Sequence, residues 1–185
     1  TIISCFLYFA FLAAALIGIQ SFGMPAMVDM FGLTLAEASR SVTGFLLGTA
    51  GGIFIGGILA DRTDRHDRIA ISGMITSSLF IFYIAMTSGL APAMVLGLLV
   101  AAGVASGVTT PSRDMLVRAA APKGASGRVF GFVYSGLDLG SALIPLALGF
   151  ALDQGRPETV FYAAAGFMAV TALTVVQVRR QVVTA

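Results

Sequence analysis

Two groups of residues have the types and spacing to do chemistry. The first is Asp61, Arg62, Asp64, Arg65, His66, Asp67 and Arg68, the densest run of charge in the chain. The second centres on Asp138, alone in a long apolar stretch. Gly131, Tyr134, Ser141 and Pro145 flank it at the three- and four-residue steps that put side chains on one helix face. A carboxylate, a phenol and a hydroxyl on one face can line a solute path, pass a proton or hold a cation. Such an Asp can equally hydrogen-bond a hydroxyl or tyrosine of a neighbouring helix. Gln20 is a further polar candidate, as is Thr110, which shares a face with Gly103, Ser106 and Arg113. Each could line the path or tie helix to helix. Covalent catalysis lacks its parts: the one histidine, His66, lies in the charged run, and no Gly-x-Ser-x-Gly is present. The nucleotide-binding run Gly-x-x-x-x-Gly-Lys with Ser or Thr is also absent. The lone Cys5 reads as a packing residue. We expect no enzyme, no cofactor and no metal.

The elements that position these residues follow from length and polarity. The composition is 57% hydrophobic and 11% charged, where soluble domains carry about 25% charged residues. Twenty apolar residues at 1.5 Å rise cross the ~30 Å hydrocarbon core of a bilayer. By that rule six spans are expected, at about residues 2–24, 41–60, 69–88, 92–112, 129–152 and 160–178. All should be helical, because lipid cannot satisfy an open backbone. Breaks are expected at Pro25 to Arg40, at the charged turn, at Gly89 to Pro92, at Asp114 to Arg128 and at Asp153 to Glu158. Asp138 then lies ~15 Å into the fifth span, near the midplane. A carboxylate there costs ~2.5–3.5 kcal/mol on insertion scales, so it must face a cavity or a partner.

Basic residues orient the bundle. The second–third turn, the fourth–fifth loop and the tail hold Arg62, Arg65, Arg68, Arg113, Arg118, Lys123, Arg128, Arg179 and Arg180. The other side holds only Arg40 and Arg156. The rich side is expected in the cytoplasm, with both termini there, in a plasma (inner) membrane. The basic excess is thereby accounted for, and no nucleic-acid partner is expected.

Gly44, Gly48, Gly52 and Gly56 recur every four residues on one face of the second span, with Gly51 and Gly57 beside them. Missing side chains let a neighbouring helix approach closely, as ordinary packing or as a surface on which two halves slide. The second span ends in the run Gly57 to Asp61 and the fifth in the similar run Gly149 to Asp153, on opposite sides of the membrane. Three helices repeated upside down would place them so.

Gly57, Leu59, Ala60, Asp61, Arg62 and Arg65 together resemble the loop between the second and third helices in each half of major facilitator superfamily transporters. Asp64 stands where that loop usually has Gly, and His66 where it has a second basic residue, departures that resemble the relaxed copy in C-terminal halves. The run from Gly136 to Pro145 resembles the Gly-rich fifth-helix segment of the same superfamily, with Ile144 in place of the antiporter Gly. The resemblance implies an all-α membrane domain of six helices, residues 1–185, built from two inverted three-helix repeats. It implies that Asp61 caps a helix of the other half, where the helix dipole favours a carboxylate, and that Arg65 pairs with Asp114. No Arg lies within Leu96 to Gly103, where N-terminal halves often carry one, and the chain opens at Thr1 within an apolar run. Both features suit a C-terminal half whose partner is an N-terminal six-helix half.

The implied function is secondary active transport of a small solute by alternating access, coupled to protons, with the lipid bilayer and the solute as further partners. A six-helix scaffold, a passive channel and a half-size homodimeric transporter are the alternatives. Flux driven by a pH gradient separates a transporter from a scaffold.

Overall fold

The computed structural model describes residues 2–120 and 126–183; Lys123 lies outside them. Six helices follow in order: α1 (Ile2–Phe31), α2 (Leu35–Asp61), α3 (His66–Met86), α4 (Pro92–Ala120), α5 (Ser126–Asp153) and α6 (Glu158–Val183). There is no strand among the described residues. Each helix contains a segment long and apolar enough to cross a membrane.

Several helices outrun the apolar stretches. α1 continues through Pro25 to Phe31, and α2 begins at Leu35, so the expected break from Pro25 to Arg40 shrinks to Gly32–Thr34. Two local devices set it. Gly32 takes φ +64°, which stops α1 without a Cβ clash. Thr34 and Glu37 form a capping box that starts α2, the Thr34 backbone N–H donating to Glu37 at 2.9 Å and the Glu37 N–H to Thr34 Oγ at 3.3 Å. α4 likewise runs on through Pro111 to Ala120, which puts Arg113, Asp114 and Arg118 on helix rather than loop. The bilayer rule counts residues in lipid, and a helix need not end where lipid does.

Packing explains the glycines. α2 rests chiefly on α4, and α1 on α5 and α6; α3 bridges α4 and α6. A Cβ on Gly48 would sit 2.5 Å from the Val100 carbonyl oxygen. Cβ atoms on Gly52 and Gly56 would strike the carbonyls of Val104 and Val108. From the other side, Gly103 and Gly107 of α4 lie against the carbonyls of Phe45 and Thr49. The contacts advance together along both chains, so α2 and α4 run parallel. α1 and α5 repeat the arrangement, Gly136 against the Phe6 carbonyl and Gly140 against that of Ala10. In each pair the second helix of one three-helix unit packs on the first helix of the other unit, as two interleaved inverted repeats require. Buried serines fasten α3: Ser77 Oγ donates to the Ala102 carbonyl at 2.9 Å and Ser78 Oγ to that of Ala165 at 2.8 Å.

Candidate functional site

α5 is the helix on which the candidate site is built. It shows three faces. Gly136, Gly140, Ile144 and Leu148 point toward α1. About a quarter turn away, Phe132, Leu139, Leu143, Leu146 and Phe150 form an exposed apolar stripe suited to lipid. The remaining side carries Gly131, Tyr134, Asp138, Ser141 and Pro145; Gly131 and Asp138 are exposed on it, and the other three are half-buried. Asp138 is exposed there, nearly midway along α5, with no hydrogen bond or ion pair among the described residues. Ser141 and Tyr134 are half-buried beside it on the strip. An uncovered carboxylate at that depth needs water or a further protein surface, since lipid would oppose its charge. Gln20 is exposed on α1 and Thr110 half-buried on α4; neither is hydrogen-bonded to the α5 strip.

One turn from Asp138 toward the Ser126 end, three helices converge. The Tyr134 hydroxyl of α5 donates to Asp114 Oδ1 of α4 at 3.3 Å. The same oxygen accepts from Arg113 Nε at 3.0 Å. The Arg113 guanidinium in turn lies 4.6 Å above the Phe9 ring of α1, close enough for a cation–π contact. Phe9 and Tyr134 close the circle with ring centroids 4.7 Å apart. The Arg113 side chain is only 13% exposed, against 40% for Asp114. A cavity of about 20 Å³, room for one water, lies beneath Arg113, next to Tyr8 and Cys5. The expected pairing of Arg65 with Asp114 is therefore corrected: Asp114 holds Arg113 and Tyr134 instead. Tyr8 and Phe9 went unremarked in the sequence because an aromatic pair in an apolar span carries no periodic signal. Arg113 is visible there, on the face of Thr110 and among the basic residues that orient the bundle, but nothing in the sequence ties it to Phe9.

The charged turn is differently arranged. Asp61 ends α2, Arg62 follows as its C-cap and Arg65 precedes α3. All three are exposed, and among the described residues none joins an ion pair. Gly57, in the same run, has nothing within 4 Å of where its Cβ would be. The side chains thus stand free to meet another surface.

A family model described as Major Facilitator Superfamily matches residues 6–183. No match was found among curated proteins. Among solved structures, a peptide transporter POT in complex with sulfate is similar at TM-score 0.83 and 21% identity, covering 97% of this chain and 37% of that one. A variant of a peptide transporter POT in complex with alafosfalin is similar at TM-score 0.73 and 22% identity, covering 94% and 38%. At such identity the likeness concerns the fold alone, and this chain spans little more than a third of the length of those proteins. Six apolar helices in interleaved pairs, the exposed turn after α2 and a match over nearly the whole chain lead to one assignment: the chain belongs to the major facilitator superfamily.

Proposed function

We propose that this chain works as the C-terminal six-helix half of a secondary transporter, moving a small solute by alternating access with coupling to protons. Asp138 carries the reading: a carboxylate midway along a spanning helix, exposed and without a hydrogen bond or ion pair among the described residues. In this reading the strip faces a solute path shared with an N-terminal half, and Asp138 exchanges the coupling proton. Tyr134, Ser141, Gln20 and Thr110 contribute further polar surface to that path. Asp61 caps a helix of the other half when the cytoplasmic side is closed, while Arg62 and Arg65 meet the same surface. The membrane is the plasma (inner) membrane and both termini are cytoplasmic, supported by the basic residues gathered on one side of the bundle.

The test uses the intact transporter in sealed vesicles under an imposed pH gradient, with uptake screened over amino acids, short peptides and sugars. Wild type should accumulate at least one of these solutes above its equilibrium level. Asp138→Asn should abolish accumulation while leaving expression and gradient-free exchange intact. Undiminished pH-driven accumulation by Asp138→Asn would remove the coupling role.

A further inference from the structure

We propose that Tyr134, Asp114 and Arg113 form a clasp across the seam between α4 and α5 that shuts the α5 strip toward the basic side of the membrane. The proposal rests on the reading of that strip as a water-lined path. α4 is bound to α2 and α3, and α5 to α1, while α4 and α5 barely touch each other. The glycine contacts make α2–α4 and α1–α5 two tight pairs, backbone against backbone. α1 touches both α2 and α4, so the gap lies between α4 and α5 themselves.

Among the described residues, one hydrogen bond crosses that seam, from Tyr134 to Asp114. Its position decides what it can do. Tyr134 lies one helical turn from Asp138 on the same strip, on the side where α5 begins and α4 ends. Water moving between Asp138 and that side along the strip has to pass the Tyr134 ring. With the hydroxyl held on Asp114, the ring is drawn toward α4 and packs at a tilt against Phe9. Arg113 holds the acceptor in place by donating to the same oxygen, and Phe9 lies against the Arg113 guanidinium. At 3.3 Å this O–H···O contact is already long, and a small separation of α4 from α5 breaks it outright. The clasp therefore has two discrete states, set by the distance between two otherwise rigid helix pairs. Asp114, being 40% exposed, can take water in place of Tyr134 when the pairs part.

Thiol accessibility tests this in the intact protein, in a Cys5→Ala background that removes this chain's one cysteine. Ser141→Cys, beyond Tyr134 on the strip, is labelled with a membrane-impermeant methanethiosulfonate applied from the basic side. Labelling should be slow with the clasp intact. With Tyr134→Phe added it should quicken roughly tenfold or more, the change expected in an opening equilibrium when a hydrogen bond to a charged group is lost. Asp114→Asn should act similarly, and the double substitution should add little, because both remove one interaction. Labelling from the opposite side should not quicken in any variant, whereas general loosening would speed both sides. Equal rates with and without Tyr134→Phe, or effects that multiply in the double substitution, would overturn the clasp and leave the path standing. Ser141→Cys unlabelled from either side in every variant would overturn the water-lined strip, and the clasp with it.

Discussion

Asp114 accepts from two donors on one oxygen, and neither is Arg65, the partner that the family resemblance implied. Neighbours one apart on a helix point in different directions, so Arg113 and Asp114 do not read as a pair. They meet because Arg113 lies over the Phe9 ring with its Nε 3.0 Å from the Asp114 carboxylate. A one-dimensional reading has no access to that geometry; it shows which charges exist, not which long side chain bends to which. Asp138 was legible for the opposite reason, since a short carboxylate deep in an apolar run stands out wherever it points. Ser77 was not singled out, and it carries a residue-scale prediction. Its hydroxyl is buried and donates to the Ala102 carbonyl, with the Met168 sulfur 3.2 Å away. Interhelical bonds in membranes average ~0.6 kcal/mol, with a maximum near 1.7. Ser77→Ala should lower the thermal midpoint in detergent by no more than that range allows. A loss of several times that size would mean that the serine does more than fasten α3.

At the scale of the helices, the glycine spacing in α2 was plain, but its partner was not. Gly103 and Gly107 belong to α4, and only the fold shows that they interlock with Gly48 and Gly52. Gly51 and Gly57, adjoining the same row, meet nothing within 4 Å, so spacing alone overstates the packed strip. Helix ends were the least legible feature. The apolar count recovers what lies in lipid, while the Thr34–Glu37 box and Gly32 fix where α1 and α2 actually change over. The interlock can be tested with a matched pair in α4. Alanine at Gly107 would drive its Cβ into the Thr49 carbonyl, and overpacking of that sort costs about 1–3 kcal/mol. Alanine at Gly97 meets nothing within 4 Å and should be neutral or slightly stabilising. Thermal melts of Gly107→Ala and Gly97→Ala should therefore diverge; coincident melts would show that α2 and α4 are not so closely joined.

For the whole molecule, the ordering of six spans came directly from polarity, and the inverted repeat from a five-residue echo whose meaning the packing supplies. α2 ends at Asp61 and α5 at Asp153, each after resting on the first helix of the other repeat. That symmetry leaves α2 and α5 the least covered helices, each with a face that lipid or another six-helix unit must meet. The functional reading depends on the sense in which the bundle crosses the membrane. Only if the Asp61–Arg68 turn is cytoplasmic does Asp61 guard the inner side, and only then does the Tyr134 clasp close inward. The most direct measurement is sided labelling of two cysteines in intact cells and in inverted vesicles, again in a Cys5→Ala background. Asp64→Cys, in the exposed turn, should react only when an impermeant reagent has access to the cytoplasmic face. Ser88→Cys, exposed between α3 and α4, should react only from outside. The reverse pattern, or both positions reacting from one side, would contradict the account.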